Sequence, residues 1–278
     1  MANESIEGEA YQLKDILATE LSAYYQIPIY QRPYQWGKEQ CEELLNDLFE
    51  NYEDHGEDDY FCGSLVFVQP NKDNKTDIVD GQQRLSTFIL LAKVLATLYS
   101  ERLDPMIQEY LQESWSDRHE DGKKKKRERL DFDLVGSNAK KDFQEALDFF
   151  DDLDASKGEN SKSNDPSKGK NSYLKNAICL KNYLEKEEIE DINDFIQWLY
   201  SKVNFITITC SDTDMALRIF NVLNARGLPL HATDIFKGEL LKNSPKKKNK
   251  KSLRPVGRIC VKNAWIMVSP WKHCSVNI

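Results

Sequence analysis

Residues 80–84 read Asp-Gly-Gln-Gln-Arg and constrain this chain more than any other segment. They follow a short apolar run at 76–79 with the pattern of a strand, and they lead into a stretch at 85–98 with the pattern of an amphipathic helix. The first N–H groups of such a helix have no partner within it, and they lie at the positive end of the helix dipole. The segment therefore predicts an anion site of the phosphate-binding kind, in an α+β fold.

Each residue of this turn suits that chemistry. Gly81 allows a sharp turn with no Cβ in the way of a ligand, and Arg84 supplies a planar, always-charged fork for phosphate oxygens. Gln82 and Gln83 can both donate and accept hydrogen bonds. Asp80 could hold a metal ion, position a ribose hydroxyl or cap the helix. The sequence also leaves open a plain alternative, in which Asp80 is only a cap and Arg84 a solvated residue.

A second segment, residues 27–36, combines two prolines with Gln, Arg, Tyr and Trp in an extended stretch. Arg32 can pair with phosphate or carboxylate, while Tyr34 and Trp36 offer flat faces on which a base can stack. The alternative is that Tyr30, Tyr34 and Trp36 anchor the core and that Arg32 is a structural cation.

Five sequence blocks follow one another along the chain, at 27–36, 63–66, 78–87, 220–230 and 233–237. Their order and content resemble the N-terminal domain of GmrSD-type restriction endonucleases, a bacterial family with a ParB/sulfiredoxin-like nucleotide-binding fold. Members commonly carry a C-terminal His-Asn-His nuclease domain, and many act against modified or phage DNA. The resemblance spans most of residues 11–241.

In this family the 80–84 turn corresponds to the nucleotide-phosphate site, with residues 31–36 beside it. The resemblance implies catalytic roles for Asp80, Arg84 and Arg32. It implies nucleotide contacts for Gly81, Gln82, Gln83, Arg84, Ser86, Thr87, Gln31, Arg32, Tyr34 and Trp36. A second tier of candidates consists of Asn224, Arg226, Asp234 and Lys237. For this second tier, a helix end followed by a capped helix is the alternative explanation.

Periodicity predicts helices at 11–17, 38–52, 88–98 and 212–223, and strands at 24–30, 60–69, 76–79 and 203–210. We therefore expect an α+β protein with a small mixed sheet of ParB/sulfiredoxin-like type, followed by a mainly helical region. The predicted division is a nucleotide-binding domain at 1–100, a mainly helical domain at 101–241 and an atypical tail at 242–278. Polar composition predicts mobile loops near 116–129 and 151–171.

The tail differs sharply in charge from the rest of the chain. Residues 242–278 hold ten of the 38 Lys and Arg and none of the 46 Asp and Glu, which leaves the body acidic. We interpret the tail as sequence foreign to the family, from a truncated or frame-shifted reading frame that lacks the nuclease half. The alternative is a basic, aromatic tail that binds nucleic acid.

Composition bounds the remaining possibilities. The 278 residues, 40% hydrophobic and 30% charged, are enough for a sizeable core and exclude disorder throughout. No run approaches the roughly eighteen apolar residues of a membrane-spanning helix, and the N-terminus is polar. We therefore expect a cytoplasmic protein that does not contact a membrane. The scattered six cysteines and four histidines predict free thiols and no preformed metal site.

The expected function is a nucleotide-binding module, hydrolysing or only sensing, of a bacterial DNA-restriction or phage-defence system. Its cofactor would be a nucleoside triphosphate with Mg²⁺, and its other partners modified DNA and a nuclease subunit or a second copy. The alternatives are a non-enzymatic reader of modified DNA, in which Tyr34 and Trp36 stack on a base, and an inactive remnant. Autonomous cleavage of DNA lacks support because the sequence shows no His-Asn-His motif.

Overall fold

A six-stranded mixed sheet organises the computed structural model, which describes residues 6–18, 24–56, 58–70, 74–117, 127–133, 138–155 and 170–224. The strands are β1 (Ile6–Gln12), β2 (Tyr25–Ile27), β3 (Tyr60–Val68), β4 (Thr76–Asp80), β5 (Ser116–Asp117), β6 (Arg127–Glu128), β7 (Leu130–Phe132) and β8 (Val203–Cys210). The helices are α1 (Leu13–Leu17), α2 (Lys38–His55), α3 (Gln82–Leu98), α4 (Pro105–Glu113), α5 (Ala139–Ala155), α6 (Ser172–Leu184), α7 (Ile192–Lys202) and α8 (Thr213–Asn224).

The strand order across the sheet is β1-β8-β3-β4-β2-β7. The pairs β1/β8 and β3/β4 are antiparallel, while β8/β3, β4/β2 and β2/β7 are parallel. Strands β5 and β6 form a separate antiparallel pair. A mixed sheet covered by helices confirms the predicted α+β class. Two strands of the sheet, β7 and β8, come from residues 101–241, the stretch expected to be mainly helical. The division into domains stays a prediction.

The two faces of the sheet carry cores of different size. Along β3, Leu65 and Phe67 point into a large core, whereas Val66 and Val68 point into a small one. This alternation is what the period of two in a strand requires. Residues of helices α1 to α7 line the large core, and α8 covers the opposite face. The sheet therefore has α3 on one side and α8 on the other.

Helix α3, which begins at the 80–84 turn, is largely buried. Thirteen of its seventeen residues are buried, because α4, α5 and α6 pack around it as well as the sheet. One of them is a cation, Lys93, which forms an ion pair with Asp151 and lies 4.8 Å from the centroid of the Trp115 ring. The sequence predicted one apolar face for this helix. The helix is instead enclosed on most sides through Leu95, because later helices of the chain complete its surroundings.

Most predicted elements are confirmed within a few residues, including the β3/β4 hairpin and the strand at 203–210. The N-terminal prediction is wrong in part, since residues 6–12 form β1 and the first helix begins at Leu13. Strand β1 is almost entirely exposed, so it shows no alternation of buried and exposed residues. It exists because β8 accepts it as a neighbour, which is a tertiary effect.

Parts of other predictions lie outside the described residues. Of the two predicted loops, the structure describes only residues 116–117 and 127–129 of the first, and 151–155 and 170–171 of the second. The predicted tail at 242–278 lies wholly outside them. Among the helices that the structure describes, none is long and apolar enough to cross a membrane.

Candidate functional site

The predicted turn forms where β4 ends and α3 begins. Asp80 is the last residue of β4, and Gly81 is the N-cap of α3 with φ +92° and ψ 4°. These angles are left-handed, and a Cβ on Gly81 would lie 2.2 Å from Cδ2 of Leu65. Only glycine both adopts these angles readily and leaves Leu65 its place, because it has no Cβ. Because the N-cap is a glycine, no N-cap side chain accepts the N–H groups of the first turn, which lie at the positive end of the helix dipole.

Asp80 is half-buried, and the charges of two arginines act on its carboxyl. Burial raises the pKa of its carboxyl, while the N–H of Gly81 and the charges of Arg84 and Arg32 oppose that rise. Asp80 is not the N-cap of α3, as the plain alternative drawn from the sequence had it, because Gly81 is the N-cap residue. The Asp80 carboxylate is an acceptor beside the helix start, held among cationic groups.

The guanidinium of Arg84 lies against a distorted part of β3. Its Nη1 donates to the carbonyl oxygen of Ser64 at 3.2 Å, and a Cβ on Gly63 would lie 2.5 Å from that Nη1. Gly63 has φ +112°, at an irregularity in the pairing of β3 with β8. The irregular backbone at Gly63 thus leaves room for the guanidinium group of Arg84 and fixes its direction.

Three glutamine side chains tie the 31–36 segment to the turn. Gln31 Nε2 donates to the carbonyl oxygen of Val79 at 2.5 Å, and Gln82 Nε2 donates to that of Arg32 at 2.9 Å. Gln83 Oε1 accepts the N–H groups of residues 35 and 36 at 2.8 and 3.1 Å. The amide side chains of Gln82 and Gln83, predicted as nucleotide contacts, are therefore engaged with the protein backbone.

Tyr34 lies inside the protein, as the core-anchor alternative predicts for it. Its ring is only 8% exposed and stacks on that of Tyr173 with centroids 4.2 Å apart. Its hydroxyl lies 2.7 Å from Oγ1 of Thr87 and accepts a bond from Nδ2 of Asn176 at 2.9 Å. Thr87 and Ser86 are fully buried. The structure thus places these three predicted contact residues in the core beneath the turn.

A cleft of about 180 Å³ opens above the turn. The residues that line it are Tyr30, Gln31, Arg32, Trp36, Val79, Asp80, Gly81, Gln82, Gln83, Arg84, Leu217, Phe220 and Asn221. The turn and the 31–36 segment form two walls, and α8 forms the third. The structure therefore brings together all three predicted catalytic residues and most of the predicted contact residues.

A family model described as GmrSD restriction endonuclease, N-terminal domain, matches residues 13–241. The chain belongs to this family. The resemblance seen in the sequence is thereby confirmed, and it indicates a component of a restriction or phage-defence system. No curated protein matches the chain.

Within this GmrSD N-terminal domain, sequence reasoning missed the third wall of the cleft. Leu217, Phe220 and Asn221 lie at positions i, i+3 and i+4 of α8, so they share one helix face. That spacing was visible in the sequence, but nothing in it showed that this face turns toward residues 80–84. Tyr30 and Val79 were missed as well, since each looked like a residue of the core.

The second-tier residues contribute little to the description of the site. Asn224 is the last residue of α8. Arg226, Asp234 and Lys237 lie outside the described residues. Within the described part of the chain, no group of three or more His, Cys, Asp or Glu side chains could hold a metal ion, and Cys41, Cys62, Cys179 and Cys210 are free thiols.

Proposed function

We propose that this domain binds a nucleoside triphosphate, with Mg²⁺, in the cleft above the 80–84 turn, as a module of a bacterial DNA-restriction or phage-defence system. The observation that carries the proposal is that the start of α3, which has no N-cap side chain, lies in a cleft that Arg32 and Arg84 also line. Backbone N–H groups, a helix dipole and two arginines favour the same ligand, a polyanion.

The two arginines would act differently on a bound phosphate chain. Arg84 is half-buried and already donates to a backbone carbonyl, so it is a fixed positive group at the base of the cleft. Arg32 is exposed, and its guanidinium makes no hydrogen bond or ion pair with the residues that the structure describes. It is therefore available to contact the terminal phosphate and to stabilise charge that develops there during phosphoryl transfer.

The residues present also fit a magnesium ion that arrives with the nucleotide. Mg²⁺ is commonly held by one or two carboxylates together with phosphate oxygens and water. Asp80 is the one carboxylate among the residues that line the cleft. When bound, the ion would neutralise charge on the phosphates, while Asp80 orients it from the protein side. Positioning a ribose hydroxyl is the other role open to Asp80.

The cleft favours a single nucleotide over a reader of modified DNA. The reader hypothesis needs Tyr34 and Trp36 as a pair of stacking rings, and Tyr34 is in the core. The aromatic rings that do line the cleft are those of Tyr30, Trp36 and Phe220, on different walls. They suit one base inserted among them. A cytoplasmic location, a nuclease subunit and modified DNA as further partners stay predictions from the sequence.

The test is thermal unfolding with ATP, GTP, CTP or UTP, each with and without Mg²⁺. At about 100 times Kd a nucleotide stabilises a protein by roughly 2.7 kcal/mol, which raises Tm by several degrees here. We expect one or more nucleotides to do so, and Arg32→Ala to abolish the rise without changing the Tm of the free protein.

The matched control is Lys186→Ala, which removes an exposed cation at the end of α6, away from the cleft. It should keep the full rise in Tm. Asp80→Asn should keep the rise without Mg²⁺ and lose the additional rise that Mg²⁺ brings. No rise with any of the four nucleotides, or an equal rise in Arg32→Ala, would contradict the proposal.

A further inference from the structure

Strand β1 offers a second binding surface, at the far edge of the sheet from β7. It pairs with β8 on one side, and no strand among the described residues pairs with its other side. Six of its seven residues are exposed. The outer side of β1 thus presents backbone N–H and C=O groups over a length typical of a full strand.

The two faces of this edge differ in chemistry. Glu7 and Glu9 stand opposite Thr209 and Thr207 of β8, and their carboxylates lie on one face of the sheet. On the other face lie Ile6, Gly8 and Ala10. The edge is therefore acidic on one face and apolar on the other.

The apolar face continues inward from the edge. Ile206 of β8 pairs with Ala10 and remains 45% exposed. Phe61 of β3, which pairs with Asn204 two residues from Ile206 along β8, is 58% exposed, and Ile6 is 55% exposed. Helix α8 packs on another part of this face, over Val66, Val79 and Cys210, so the uncovered part lies toward Ala10 and Ile206. Large apolar side chains exposed together beside an open edge are typical of an interaction site.

Self-association through this edge is disfavoured by charge. Antiparallel pairing of two copies of β1 about Glu9 would set Glu9 against Glu9, and like charges directly opposite destabilise a sheet. The same carboxylates favour a strand whose side chains on that face are basic. We propose that β1 binds an extended segment of another protein that alternates Lys or Arg with apolar residues, by adding it to the sheet as a further strand.

The proposed strand would satisfy both faces at once. Its basic side chains would lie beside Glu7 and Glu9, and its apolar side chains beside Ile6 and Ala10, with Ile206 in the next strand inward. The backbone bonds supply attraction that does not depend on sequence, while the alternation sets register and partner choice. This inference does not rest on nucleotide binding, because the edge and the cleft share no residue.

The experiment uses a fluorescently labelled eight-residue peptide of Lys-Val repeats as the probe, with the full chain. Fluorescence anisotropy should show saturable binding, and exchange of the amides of residues 6–12 with deuterium should slow in the complex. A second peptide with proline in place of two valines keeps the charge but cannot pair as a strand. It should bind at least about tenfold more weakly, a difference of about 1.4 kcal/mol.

Two matched double variants distinguish specific binding at the β1 edge from general attraction of a basic peptide to an acidic protein. Glu7→Lys with Glu9→Lys should weaken binding of the Lys-Val peptide at least about tenfold. Glu39→Lys with Glu43→Lys makes the same change in net charge on the exposed side of α2 and should leave binding nearly unchanged. The proposal is overturned if the proline peptide binds equally, if both double variants lose binding equally, or if the Lys-Val peptide does not bind.

Discussion

The walls of the cleft are held in two different ways. The 80–84 turn and the 31–36 segment are joined by side-chain amides that bond to partly buried backbone groups, above a network of Tyr34, Thr87 and Asn176. Helix α8 is held by a small apolar cluster on the opposite face of the sheet. Directional bonds fix distances to within tenths of an ångström, whereas apolar contacts permit sliding. We therefore expect the first two walls to hold a fixed shape and the third to have more freedom to adjust.

The largest expected effect is at the turn itself. Gly81→Ala forces a left-handed conformation on alanine and sets its Cβ against Leu65. We expect a loss of about 3 kcal/mol or more in the free energy of unfolding, measured with urea. Gly8→Ala is the control, since nothing lies within 4 Å of its would-be Cβ. A loss as small as that of the control would show that the turn is not fixed.

The next effect is at the glutamine that joins the two fixed walls. Gln83→Leu removes the acceptor of the N–H groups of residues 35 and 36 and leaves them unpaired in a partly buried place. We expect a loss of about 2–3 kcal/mol in the same urea measurement. Gln35→Leu, at an exposed side chain of the same segment, should change stability by less than about 0.5 kcal/mol. Equal losses in both variants would contradict the role assigned to Gln83.

A smaller effect on stability is expected at the third wall. Phe220→Ala removes a partly buried ring that packs on the small cluster, so the loss should be about 1–2 kcal/mol. Val222→Ala changes a side chain that is 71% exposed and should cost almost nothing. If Phe220→Ala destabilises the protein more than Gln83→Leu does, the contrast between fixed and adjustable walls is wrong.

The smallest effect is at the start of α8. Asp212 accepts the N–H of Met215 at 2.9 Å, and this bond is the main reason that the pKa of its carboxyl is lowered. A lowered pKa adds stability that is fully present above the ordinary value of about 4 and is lost as the pH falls through the folded value. Asp212→Asn should therefore make unfolding less dependent on pH below 4. A pH profile identical to that of the unchanged protein would contradict this.

The contrast between the walls also explains which features of the cleft the sequence could predict and which it could not. The strand, the turn and the helix start at 76–98 are local, so their residues predicted them, including the glycine that the turn requires. The roles of the neighbouring side chains were less visible. Gln83 and Tyr34 looked like ligand contacts because they are polar or aromatic beside a phosphate-type turn, but their partners lie about 50 and 140 residues away along the chain.

Sequence alone determined the order of the main elements, the α+β class, the membership in the GmrSD family and the two arginines beside Asp80. These follow from patterns within a few residues or from motifs that keep their order. Only the tertiary structure decided that β1 is a strand, that α8 closes the cleft and that Tyr34 lies in the core. The physical reason is that burial and strand pairing depend on distant segments, whose contacts no local pattern records.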